Sequence, residues 1–301
     1  MTRAPRLAAI ALAGVVLAVA GCGGEGGDDD TRTFDGDRAF ADLEAQVRIG
    51  PRPSGTRAGA EEVDLIVRVL EQAGAKDVRV QRPYANVVGT IPGEGEGVVV
   101  VGAHHDTKDG IQGFVGANDG ASGVAVLLEL ARSLPAPLPG PSVQLAFFDA
   151  EEARGKRPFE ADGTRGSRQF VAYAKDDGEQ GSPPLREIRA MALFDMVGDC
   201  DLAIPLETGS DPGLYGLFAD AAEQVGDGPE PFIGSSAPVL DDHVPFTDAG
   251  IPAVDLIDFT YGAKLSPGPW WHTREDTLER VCAASLDAVG EASLVAIPRI
   301  R

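Results

Sequence analysis

Two adjacent carboxylates, Glu151 and Glu152, follow closely on the apolar run Val143–Phe148. Acids side by side at the end of a buried segment repel unless something positive lies between or beside them. A metal ion held by one would leave the other free to move a proton. The plain alternative is a solvated acidic turn. The chain has four histidines, His104, His105, His243 and His272, and all four fall in polar clusters rather than on an amphipathic face. Imidazole with several carboxylates supplies the nitrogen and oxygen donors that zinc accepts, and a catalytic zinc keeps a position open for water or substrate. Blander roles are expected for neighbours of these groups. His105 is read as structural, Trp270 as packing and Lys108 as turned to solvent rather than paired with a carboxylate. His243 either orients the acidic pair before it or caps its loop.

The elements that must position these residues can be read from hydrophobic spacing. Helices are expected over Ala41–Arg48 and Ala58–Ala73, the second capped by Ser54 or Thr56 and closed by Gly74. Strands are expected at Asp77–Val80, Asn86–Ile91, Gly97–Gly102, Val143–Phe148, Arg189–Phe194 and Ala253–Ile257. The run GVVVVG reads as a strand covered on both faces. Further helices are expected at Ala121–Leu134, Asp211–Val225 and Ala283–Ile297. Alternating strands and helices predict an α/β fold, a three-layer αβα sandwich around a mostly parallel mixed sheet. His104-His105-Asp106, Asp149 to Glu152, and Asp195 each follow a strand, and Asp119 stands just before a helix. Sites in open α/β sheets assemble at the carboxyl ends of strands, so these clusters can converge.

The ordered series His104-x-Asp106, Gly116-Ala-Asn-Asp119, Phe148-Asp-Ala-Glu151-Glu152, Gly166-Ser-Arg168, Phe194-Asp195-Met-Val-Gly198, Asp242-His243-x-x-Phe246 and His272-Thr-x-x-Asp276 resembles the zinc aminopeptidase superfamily. That superfamily includes the glutaminyl-peptide cyclotransferases of animal type, and the resemblance implies its zinc-exopeptidase-like fold. Three features lean toward the cyclotransferases: Trp271 before His272, Asp241 before Asp242-His243, and His104-His-Asp-Thr-Lys108. Against them, Arg157 stands where those enzymes carry a pocket tryptophan. The resemblance implies zinc on Asp119, Glu152 and His272, with Glu151 as general base and then acid. Asp195 and Asp241 would form a hydrogen-bonded carboxylate network beside Glu151, and Trp271 would line the substrate pocket. In two-zinc aminopeptidases the positions of His104 and Asp195 hold a second metal, so one zinc or two remains open. Asp106 would then orient His104. The activity implied is closure of an N-terminal glutamine of peptides to pyroglutamate with loss of ammonia. A zinc aminopeptidase, or a non-catalytic binding lipoprotein, are the alternatives.

Composition bounds the rest. Arg3 and Arg6, the apolar run Leu7–Ala20 and small residues before Cys22 read as an export signal over residues 1–21. The Ala-Gly-Cys ending resembles a lipoprotein signal, with a lipid on Cys22 as the sole membrane attachment; an ordinary signal peptide is the alternative. The expected location is the outer face of a bacterial cytoplasmic membrane. Residues 22–37, rich in Gly and Asp, are expected to be a flexible tether, and residues 38–301 a single catalytic domain. The whole chain carries a formal charge of −21; losing Arg3 and Arg6 leaves 24 basic against 47 acidic side chains, or −23. Such a surface excludes nucleic acid as a partner. Peptide N-termini are the expected partners and a monomer the expected state. Cys200 and Cys282 are either joined or free.

Overall fold

The computed structural model describes residues 1–2, 33–226, 231–263 and 265–301. The apolar run of the export signal, Cys22 and the tether through residue 32 lie outside the described residues. Phe34 is buried against α8 (Ala283–Ala296), in a space that exists because residue 290 is glycine: a Cβ there would sit 2.3 Å from the Phe34 ring. The Phe34 and Gly36 N–H groups donate to Glu291 and Asp287 of the same helix, at 2.9 and 3.1 Å. Helix α1 (Gly36–Ile49) follows at once, capped by the Asp35 carboxylate, which accepts the Arg38 N–H. The expected tether therefore does not reach Asp37. Residues 33–37 of its expected range belong instead to the folded domain, held by one aromatic side chain and a cap.

Helix α2 (Arg57–Ala73) is capped by Thr56, whose hydroxyl accepts the Gly59 N–H, and is closed by Gly74 in the left-handed conformation. The strands β1 (Lys76–Val80), β2 (Val87–Ile91), β3 (Val98–His104), β4 (Ser142–Phe148), β5 (Ile188–Asp195) and β8 (Ala253–Ile257) form one sheet in the order β1-β2-β4-β3-β5-β8. β4, β3, β5 and β8 run parallel; β1 and β2 are antiparallel additions at one edge. A separate parallel pair is made by β6 (Ile204–Glu207) and β7 (Phe232–Ser236).

Side chains alternate between the two faces of each strand, which accounts for the three layers. Val99, Val101 and Ala103 pack with α1, α2, α3 (Ala121–Ser133), α6 (Pro212–Val225) and α8. Val100, Phe148, Met191 and Leu193 face Phe170 and Val171 of α5 (Arg165–Lys175) and Phe246 of α7 (Val244–Asp248). The short α4 (Phe159–Asp162) precedes α5. Neither α4, α5, α7 nor the β6–β7 pair is expected from the sequence. Strand β3 has β4 on one side and β5 on the other, so the loops leaving these strands diverge and leave a crevice above β3. Cys200 and Cys282 are joined, with Cα atoms 4.9 Å apart, tying the loop after β5 to the start of α8. Among the described residues no helix is long and apolar enough to cross a membrane.

Candidate active site and metal centre

Five segments meet in the crevice. His104 ends β3, Glu151 and Glu152 follow β4, Asp195 ends β5, and Asp119 precedes α3. His272 arrives from the loop before α8. Three residues here are held in the left-handed region: Ala150 (φ 59°), Met196 (φ 49°) and His272 (φ 53°). Each costs on the order of 1–2 kcal/mol for a residue with a Cβ. All three are ligand candidates or sit next to a site carboxylate, so the strain lies where side-chain direction matters.

Asp119 is the hinge of the arrangement. Its Oδ2 lies 3.4 Å from His272 Nε2, which is itself 2.9 Å from Glu152 Oε1. Its Oδ1 lies 3.3 Å from His104 Nε2, which is 3.1 Å from Asp195 Oδ1. The structure thus brings together the donor set expected from the sequence, Asp119–Glu152–His272, and joins the second-metal candidates His104 and Asp195 to it through Asp119, a sharing the sequence does not disclose. Spacings near 3 Å match the edge of a tetrahedron with metal–ligand bonds of about 2.0–2.1 Å. Asp119 Oδ2 and Glu152 Oε2 are buried and have no hydrogen-bond donor. Lys108, 3.5 Å from Glu152 Oε2, offsets only part of this charge, and buried carboxylate oxygens without hydrogen bonds are costly, so the residues fit a divalent ion.

Asp119 is fixed by a residue whose part the sequence does not disclose. Asp276, fully buried, accepts the N–H groups of Asn118 (2.7 Å) and Asp119 (3.1 Å) and the Tyr261 hydroxyl (2.8 Å). Asn118 Oδ1 accepts the Gly198 N–H, linking this loop to the one after Asp195. From below, the buried Arg52 donates to the carbonyls of Val115 (2.6 Å) and Gly116 (3.1 Å).

Glu151 lies beside the donors, its Oε2 3.9 Å from His104 Nδ1. Burial raises its pKa well above the ordinary value; the nearby His104 works against this, while Glu152, Asp242 and Asp106 add to it. Asp241 shares the environment: burial raises its pKa well above normal, helped by Asp255, Asp195 and Glu151. Glu151, Asp195 and Asp241 line one cavity, as the carboxylate network requires, but the structure shows no direct hydrogen bond among them.

Several expectations change. Asp106 does not orient His104 with its carboxylate, which stands 3.9 Å from Nδ1; its main-chain oxygen does so at 3.1 Å. The carboxylate instead accepts the N–H groups of Glu151 (3.0 Å) and Glu152 (3.4 Å). Lys108 does not point to solvent. Its ammonium reaches the Ala153 carbonyl and lies 3.5 Å from Glu152 Oε2, because the excess of buried acid draws in a cation. His243 does not cap α7 with its ring; the ring lies between the Glu207 and Asp255 carboxylates rather than on the acidic pair before it. His105 is buried, its Nε2 3.3 Å from the Ala85 carbonyl, away from the donors. Trp270 packs under Arg280 and against Tyr261.

The cavity above these groups measures about 450 Å³. Trp271 forms one wall, stacked on the His272 ring with centroids 3.9 Å apart and braced edge-on by Phe259. Arg157 also lines the cavity, as does Phe159, so an aromatic ring is present two residues further along. Gly166 lets the start of α5 come close to the segment after β4: a Cβ there would meet the Asp149 carbonyl at 2.1 Å.

Residues 86–297 match the profile of Peptidase family M28. The chain belongs to this family. Among M28 relatives it is similar to the glutaminyl-peptide cyclotransferase of Bothrops jararaca, 29% identical over 239 residues, which cover 68% of this chain and 62% of that protein. The chain thus spans a little under two thirds of that curated relative. Among solved structures it is similar to the glutaminyl cyclase of an Acidobacteriales bacterium (TM-score 0.79, 29% identity, 93% of this chain and 99% of the other). It is also similar to a Zn-dependent exopeptidase from Parabacteroides distasonis (TM-score 0.74, 26% identity, 88% and 98%). The M28 fold and the mixed, mostly parallel sheet expected from the sequence are thereby shown.

Proposed function

We propose that this M28 chain is a zinc-dependent glutaminyl-peptide cyclotransferase. The observation that carries the reading is Glu151 held free of the Asp119–Glu152–His272 set, facing a cavity closed by Trp271. A zinc ion on those three residues would supply Lewis acidity toward the γ-carboxamide oxygen of an N-terminal glutamine. The chain does the rest. The cavity folds the glutamine side chain back until its α-amine meets its own γ-carbonyl carbon, and Trp271 and Phe259 keep water from that carbon. Glu151 takes a proton from the amine as the nitrogen–carbon bond forms. It returns that proton to the carboxamide nitrogen as the carbon–nitrogen bond breaks and ammonia leaves. Asp195 and Asp241 surround Glu151 with negative charge and favour its holding the proton between the two steps. Similarity to two cyclotransferases by name supports the assignment.

Asp119 faces both donor sets, and that favours a second reading, a two-metal aminopeptidase in which Glu151 activates water. Mass spectrometry of one reaction separates the two. A glutamine-initiated peptide lighter by one ammonia supports cyclisation; a peptide shortened by its first residue sinks it.

The same proposal includes export and a lipid on Cys22. The Cys200–Cys282 bridge supports an oxidising compartment. Cys22→Ser should release the protein from the membrane fraction; continued sedimentation with membranes would refute the anchor.

A further inference from the structure

A third trio of donors lies outside the cavity lining. Glu207 ends β6, His243 directly precedes α7, and Asp255 sits in the middle of β8; none is more than 1% exposed. His243 Nε2 is 3.5 Å from Glu207 Oε2, and Nδ1 is 3.7 Å from Asp255 Oδ2. Both gaps are too long for good direct hydrogen bonds. One donor atom from each residue lies within 4.8 Å of the other two, as in the two sets around Asp119.

The trio is held in place from outside. Glu207 accepts the N–H groups of Gly209 and Val239 and, at 2.9 Å, the Ser210 hydroxyl. Ser210 Oγ in turn accepts the Asp255 N–H at 2.9 Å. Yet both oxygens of Asp255 and Nδ1 of His243 are buried without any hydrogen-bond partner. Burial opposes a charge on Asp255, and the carboxylates of Asp195, Glu207 and Asp242 add to this. A bare buried carboxylate among other carboxylates needs a positive counter-ion or a proton. An imidazole and two carboxylates, one of them (Glu207) oriented by hydrogen bonds from a neighbouring hydroxyl and amides, offer the donor chemistry of a zinc-type cation.

We propose that Glu207, His243 and Asp255 form a second, buried metal site for a divalent cation of zinc type, structural in role. Such an ion joins the end of β6, the Asp241–His243 turn and β8, and so fixes the wall of the cavity on which Asp241 stands.

Counting zinc by mass spectrometry after exhaustive dialysis tests the site. A His104→Asn/Glu152→Gln/His272→Asn variant should keep about one ion per chain. Adding Asp255→Asn should remove it. A folded triple variant with no zinc overturns the proposal. Should the triple variant fail to fold, NMR of the cadmium-loaded wild type decides instead. A cadmium resonance lost in Asp255→Asn and kept in Glu152→Gln supports the site. A spectrum in which Asp255→Asn removes nothing, or removes signals only together with the cavity resonance, overturns it. Neither readout depends on turnover, so a failed assay of cyclisation leaves this test intact.

Discussion

The carboxylate of Asp106 holds the backbone of Glu151, accepting its N–H at 3.0 Å and that of Glu152 at 3.4 Å. One buried acid from the end of β3 thus aims both acids that follow β4, while its own carbonyl aims His104. Asp106→Ala should therefore lower kcat about 10–100-fold, the usual range for a group that orients site residues. Steady-state kinetics with zinc analysis checks this. Asp106→Asn, which still offers one acceptor oxygen, should recover part of the loss.

Trp271 stacks on His272 but donates nothing to a metal. Trp271→Ala should reduce kcat/KM for a glutamine-initiated peptide roughly 100-fold, the scale expected when a substrate is misplaced. Zinc content should stay near that of the wild type, and Trp271→Phe should restore much of the activity. Equal loss of zinc and turnover would contradict a role as pocket wall.

Burial raises the pKa of Glu62 from 4.5 to about 7, against the pull of Arg52 3.8 Å away. A folded pKa above the unfolded one means stability fully present below about pH 4.5 and lost as pH rises through about 7. The effect is at most on the order of 3 kcal/mol. Urea unfolding at pH 5 and pH 7.5 should show the decline in the wild type and a flatter profile in Glu62→Gln. Arg52 also braces the Val115–Gly116 loop, so this is a stability term attached to the Asp119 segment.

Removing the Cys200–Cys282 bridge, which spans 82 residues, should cost about 2–4 kcal/mol. Thermal unfolding of Cys200→Ala/Cys282→Ala, compared with the wild type with and without reductant, checks the value. An unchanged transition would mean the loop after Asp195 is anchored elsewhere.

Much of this architecture is legible in the sequence because it follows from hydrophobic spacing and local chemistry. Val124, Leu127 and Leu128 announce α3, the run Val98–Val101 announces β3, and Thr56 and Gly74 bound α2. The donor residues are legible as types at strand ends. What hides from the sequence is direction and distance. Whether Asp106 turns its carboxylate or its carbonyl toward His104 depends on the turn after β3. Lys108 looks like a surface cation until its acidic surroundings are in place. Asp276, Glu207 and Asp255 acquire their parts only through contacts with distant segments. Helix α5 starts without a side-chain cap, from Thr164 in the left-handed region, and the β6–β7 pair is short and partly exposed. Neither carries a strong local signal. Phe34, a single aromatic among Gly and Asp, folds back because Gly290 leaves it room.

The account rests on one metal set with a free carboxylate beside it, and paired zinc and ammonia measurements on two neighbouring substitutions test it most directly. Glu152→Gln should lose the cavity zinc and the release of ammonia from a glutamine-initiated peptide together. Glu151→Gln should keep the zinc and lose about 10²–10⁴ in rate. Retained turnover in Glu151→Gln, or loss of zinc from both variants alike, would contradict it.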